Sequence, residues 1–165
     1  MKRNFLIRMG ALTLIAVLML ALVACGGDKT PDIYSLTYKG TKITLGASAD
    51  GVLSAMGEYK SKTEIGDCGG LGAQVKYVYD DITLYVLEGK NGNTVDSFTV
   101  NNDMLSTNEG VCIGDDEARV TEIYGTPTAR TAQKLEYQNG EKFLVFDLDE
   151  NGSVSGIEWK IVTAG

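Results

Sequence analysis

Two periodicities alternate along this chain. Between Ser48 and Gly57, the apolar residues Ala49, Val52, Leu53 and Met56 fall at i, i+3, i+4 and i+7. That spacing predicts a short amphipathic helix, with Ser48 as N-cap and Gly57 as the C-terminal stop. The same arrangement returns 68 residues later, where Leu45-Gly46 becomes Ile113-Gly114, Val52 becomes Val120, Met56 becomes Tyr124 and Gly57 becomes Gly125, with Asp116 in the N-cap place. Self-similarity at a fixed offset reads as internal duplication. After each helix the period shortens to that of a strand. The runs are 74–80, 82–88 and 94–101 in the first copy, and 132–138, 141–148 and 153–161 in the second. They are rich in Val, Ile, Tyr, Phe and Thr and are separated by Asp80-Asp81, Asn91-Gly92, Asn139-Gly140 and Asn151-Gly152, which are turn formers between β-formers. The expected fold class is therefore α+β, with two tandem repeats (36–107 and 108–165). Each repeat is a short helix followed by a three-stranded antiparallel meander, and because a unit of this size buries too little apolar surface alone, the two sheets are expected to join or abut with the helices on one face.

In the second copy, Ile113-Gly114 precedes the helix and Gly125-Thr126-Pro127 follows it. Tyr137-x-x-Gly140, an apolar strand and Asn151-Gly152-x-Val154-x-x-Ile157 complete the pattern. It resembles one repeat of the β-lactamase-inhibitory-protein-like fold and is similar to the small lipoproteins of the outer-membrane assembly machinery. Tandem copies behind an export signal also resemble uncharacterised clostridial lipoproteins over nearly the whole mature chain. The resemblance implies a binding module. It departs from the inhibitors, which hold a disulfide inside each repeat, in having one Cys per copy, and none of their inhibitory residues is carried over.

The N-terminus supplies an address. Lys2, Arg3 and Arg8 precede an uncharged run from Met9 to Ala24, which has the length of a signal-peptide core and falls short of a comfortable membrane span. It ends in Leu22-Val23-Ala24-Cys25-Gly26-Gly27, which resembles the lipobox of bacterial lipoproteins. Residues 1–24 are thus expected to be a lipoprotein signal peptide, Cys25 the acylated residue, and 25–35 a flexible tether holding the folded part on the extracytoplasmic side of the membrane. Export also bears on the remaining thiols, Cys68 and Cys112. In an oxidising compartment they make a candidate disulfide, with two separate buried thiols as the alternative.

Composition removes several functions. The 22 acidic residues all follow Cys25, against 12 basic ones, so the mature part carries a formal charge of −10. Binding nucleic acid through phosphates is unfavourable at that charge. There are no histidines, so His-based triads, the usual zinc sites and the commonest general base are absent. The run Asp147-x-Asp149-x-Asn151-Gly152-Ser153, with Glu158 at position twelve, fits an EF-hand loop as a pattern. A strand before it and too short a tail after it favour an acidic hairpin, and Ca²⁺ stays the alternative. Asp115, Asp116 and Glu117 read as carboxylates favoured at a helix N-terminus. No catalytic group and no cofactor are expected.

The strands carry the strongest functional hint. Ile82, Leu84 and Val86 form one apolar row, yet Tyr85 and Leu87 on the other face are also large, and Phe143 and Val145 oppose Leu144, Phe146 and Leu148 in the same way. One explanation is cover from within the chain. The other is a protein-binding sheet surface anchored by Tyr85, Leu87, Phe143 and Val145, with Glu158 and Lys160 as polar neighbours. The expected function is a lipid-anchored, non-catalytic module that binds an envelope or secreted protein, inhibition being one form this takes. A structural or assembly lipoprotein of an envelope complex is the alternative.

Overall fold

The computed structural model describes residues 32–67 and 72–162. Its elements run β1 (Ser35–Tyr38), β2 (Thr41–Thr44), α1 (Ala49–Met56), β3 (Ser61–Asp67), β4 (Ala73–Val78), β5 (Ile82–Gly89), β6 (Gly92–Val100), α2 (Glu117–Tyr124), β7 (Ala129–Thr131), β8 (Lys134–Asn139), β9 (Lys142–Leu148) and β10 (Val154–Ile161). β1 and β2 form a two-stranded sheet, and the other eight strands form one antiparallel sheet in the order β3-β4-β5-β6-β10-β9-β8-β7.

This architecture overturns the expected fold class. The described chain is mostly β, with two helices of eight residues each, and it is not two helix-plus-meander repeats. Its eight-stranded sheet is continuous, sealed in the middle where β10 pairs with β6 through Trp159↔Phe98 and Lys160↔Ser97. Four strands had no sequence signal. β3 and β7 are exposed along their whole length, so they carry no alternation of apolar and polar residues. β1 and β2 occupy 35–44, which begins at the last residue of the expected tether and for which no element was expected. Ser35, placed at the end of that tether, is buried and opens β1. Cys25 and the signal segment lie outside the described residues.

The β1–β2 hairpin turns through Lys39-Gly40, both with positive φ (48° and 80°), the geometry that matches the twist of paired strands. Leu36 and Ile43, paired across it, join Leu45, Ala49 and Val52 in the core. These residues and Val120 of α2 cover one sheet face, meeting Val75, Leu84, Val95, Phe98, Trp159, Leu144, Phe146 and Leu135. Trp159 has no exposure, stacks on Phe98 at 4.9 Å and donates from Nε1 to the Ile33 carbonyl (2.8 Å). A buried indole N–H thus fixes where the chain enters the fold.

The 68-residue correspondence survives locally. Gly46 N–H donates to Val95 C=O and Gly114 N–H to Val154 C=O, both at 2.8 Å, while Val95 and Val154 return bonds to Ala47 (2.9 Å) and Asp115 (2.7 Å). Each helix is hooked in this way onto the strand that comes to the sheet centre. The caps differ, however. Asp116 Oδ1 accepts from Arg119 N–H at 2.7 Å, whereas Ser48, expected to cap α1, makes no side-chain cap bond. Gly57 and Gly125 end the helices with φ of 75° and 76°.

Candidate binding surface

Strand register decides which side chains share the second sheet face. Lys76 pairs with Tyr85, Tyr85 with Ser97, Ser97 with Lys160, Lys160 with Phe143, and Phe143 with Gln138. Opposed residues of an antiparallel ladder point the same way, so these six form one row across six strands. The adjacent row runs Val78, Thr83, Thr99, Glu158, Val145, Glu136. Five of the sequence-derived candidates, Tyr85, Phe143, Lys160, Val145 and Glu158, therefore meet in two neighbouring rows. Leu87 lies one step beyond Tyr85, opposite Gln74 and Thr94.

Tyr85, Leu87 and Phe143 are half-buried and Val145 is fully buried, although Val145 stands apart from the core cluster on the other face. Their polar neighbours are arranged in pairs. Lys160 Nζ lies 2.8 Å from Glu158 Oε2, Lys134 Nζ lies 3.6 Å from Asp147 Oδ1, and Lys76 Nζ sits 5.9 Å from the Tyr85 ring centre. The surface thus carries Tyr85 and Phe143 three strands apart, with Ser97 and the Lys160–Glu158 ion pair between them.

A bulge adjusts one corner. Register shifts between Tyr85 and Val86, so that Val95 and Ser97 oppose consecutive residues of β5 and Asp96 is the extra residue between them. Asp96 accepts from Gln74 Nε2 at 2.6 Å. Burial raises its carboxyl pKa above the ordinary value, and the Gln74 bond opposes that shift in part. Nothing in the sequence marked Asp96, because a bulge leaves the alternation of the partner strand unchanged. Lys76, Ser97 and Thr99 were legible in principle from alternation on β4 and β6, once register was known.

The other candidates resolve into structural roles. Asp147, Asp149, Asn151, Ser153 and Glu158 do not converge. Asp147 faces Lys134 on the sheet, and Glu158 faces Lys160. Asp149 Oδ1 accepts the N–H groups of Asn151 (2.9 Å) and Ser153 (2.8 Å), which holds its pKa below the ordinary carboxylate value. This is an Asx-stabilised hairpin. Its positive φ falls at Gly152 alone, so it is a turn with a glycine bulge in place of the two-residue Asn-Gly turn that the sequence suggests. Among the described residues no cluster of three or more His, Cys, Asp or Glu could hold a metal ion.

An open groove of about 440 Å³ is lined by Asp116, Glu117, Ala118, Thr121, Arg130, Asn151 and Gly152. Its charged groups are engaged: Asp116 caps α2, and Arg130 lies 2.8 Å from Glu117 Oε1. Asp115 accepts from Cys112 N–H at 2.8 Å. Cys112 is a free, half-buried thiol whose pKa is raised first by burial and then by Asp115 and Asp103. Cys68, its expected disulfide partner, lies outside the described residues. Nearby, Tyr124 donates to Glu109 Oε2 at 2.6 Å and lies 2.8 Å from Thr107 Oγ1. Burial above all, and then the Glu109 bond, keep this phenol neutral.

No family model matches this chain, and no curated protein matches it. Among solved structures it is similar to an extracellular protein containing a SCP domain from Bacillus anthracis str. Ames, with a TM-score of 0.52 and 10% sequence identity. The likeness covers 71% of this chain and 44% of that one, so this chain spans less than half the length of that protein and shares a fold with part of it. Among the described residues no helix is long and apolar enough to cross a membrane.

Proposed function

We propose that this chain is an exported, lipid-anchored envelope protein that acts as a non-catalytic protein-binding module through the second face of its eight-stranded sheet. The observation that carries this reading is the cross-strand row Lys76, Tyr85, Ser97, Lys160, Phe143, Gln138. It gathers aromatic anchors from opposite halves of the chain onto the face turned away from the core. Both aromatic rings stand on interior strands, β5 and β9, so their positions are set by the ladder on both sides. Lys76 and the Lys134–Asp147 pair lie outside the two rings, as a polar rim would, and the Lys160–Glu158 pair lies between them. Export and anchoring rest on the charged, apolar and Cys25-terminated N-terminus, and the extracellular description of the structural neighbour agrees with the exported half of that reading.

The test is site-specific photo-crosslinking in the native envelope. A photoreactive phenylalanine at Tyr85 or Phe143 should give a discrete adduct that the second-face variant Tyr85→Asp/Phe143→Asp no longer competes away, while the same probe at Met104, 83% exposed on a loop, should give none. Equal adducts from Met104, or none from either sheet position, would reject the sheet face as the contact surface.

A further inference from the structure

The two edges of the large sheet are unequal. β7 is three residues long, as protected edges tend to be, whereas β3 runs for seven, all of them exposed, with Ile65 at 54%. Among the described residues β3 pairs with β4 alone, none of its side chains is buried, and its pairing is regular over Ser61–Glu64 before a bulge at Ile65. A strand with no buried side chain is held by backbone pairing and by surface contacts such as that of Lys62 with Glu88, and an exposed edge is a template for another strand.

The sequence of β3, Ser61-Lys62-Thr63-Glu64-Ile65, selects what that strand is. Rotate a second copy about a twofold axis normal to the sheet at Thr63. Lys62 then faces Glu64 of the copy and Glu64 faces its Lys62, all within the regular stretch Ser61–Glu64 that precedes the bulge at Ile65. Opposed residues in an antiparallel ladder share a face, so the alternative registers are offset by two. One places Lys62 on Lys62 and the other places Glu64 on Glu64, both like-charge contacts that destabilise cross-strand pairs. One register of self-pairing is therefore free of repulsion and carries two ion pairs. In it, Lys62 would keep its place 5.1 Å from the Tyr77 ring centre and 3.4 Å from Glu88, with the partner copy's carboxylate added on the open side.

We infer that β3 is a self-association edge, through which two copies of this chain join antiparallel about Thr63 into one continuous sheet. The contact is small and rimmed by charge, so the dimer is weak and concentration-dependent. β3 lies two strands from Tyr85 and contributes none of the residues of the row that holds it, so the inference stands apart from the second-face reading.

The test is disulfide trapping in the full chain. Thr63→Cys places two thiols at the axis, at a Cα separation of about 5 Å that a disulfide can span. Mild oxidation should give a homodimer well above the background set by the chain's own cysteines. Lys76→Cys, opposite Thr63 but one strand inward, should give none. Adding Lys62→Glu should reduce the trapped dimer by about tenfold through like-charge opposition, and Lys62→Glu with Glu64→Lys should restore it. Background-level trapping, or no rescue by the charge exchange, would overturn the inference, and so would an adduct of Thr63→Cys with a different protein, which would make β3 the edge for a foreign strand.

Discussion

Asp96 shows how a single side chain can be held in an unfavourable state for the sake of its position. Its folded-state pKa is raised by burial, so ionisation opposes folding. The associated stability is fully present below the ordinary carboxylate pKa and is lost as pH rises through the folded value. Asp96→Asn, which can still accept from Gln74, should therefore raise the melting temperature at pH 7 and have little effect near pH 3.5, checked by thermal unfolding at both. Asp149 has the opposite sign. Its pKa is lowered by backbone donors, so its contribution is present above the ordinary value and lost as pH falls through the depressed one. Asp149→Ala should lower the melting temperature at pH 7, with the difference closing in acid, and micromolar Ca²⁺ should not change either protein. A Ca²⁺-dependent rise abolished by Asp149→Ala would restore the EF-hand alternative. Tyr124→Phe removes the donor to Glu109 beside Thr107 and should cost about 1–2 kcal/mol in denaturant unfolding.

At the scale of elements, legibility followed burial. The strands expected at 82–88 and 141–148 are found at Ile82–Gly89 and Lys142–Leu148, because alternate residues on them enter a core and write that alternation into the sequence. β3 and β7 left no such trace, since sheet pairing at an edge needs only backbone. The β1–β2 hairpin was hidden for another reason. Its turn uses Lys39 at φ 48°, a residue with no turn bias in a conformation that favours Asn or Gly. Lys39→Asn should accordingly raise the melting temperature, and a fall would mean that the Lys39 contact with the Tyr38 ring (5.0 Å) outweighs backbone strain. The centre of the sheet is less forgiving. Trp159→Ala empties the contact with Phe98 and orphans the Ile33 carbonyl, so a loss of at least about 3–5 kcal/mol is expected in denaturant titration.

For the whole molecule, the candidate surface was readable as a list of residues but not as an arrangement. Tyr85 and Phe143 stood out because each is a large apolar side chain on the strand face that alternation assigns to the outside. That they share one row followed from β10 pairing with β6, a contact between residues about 60 apart that no local pattern encodes. The fold class failed elsewhere: the two sheets were expected to join or abut, and what the expectation lacked was the added strands β1, β2, β3 and β7, which make the described chain mostly β. In the proposed reading the continuous sheet matters because it turns two narrow faces into one broad one. Residue-resolved hydroxyl-radical footprinting, comparing the isolated protein with the protein in its native envelope, tests this most directly. The account predicts that Tyr85, Leu87 and Phe143 become protected while Met104 stays as reactive as before. Unchanged reactivity at Tyr85 and Phe143, with protection appearing on the loops instead, would contradict it.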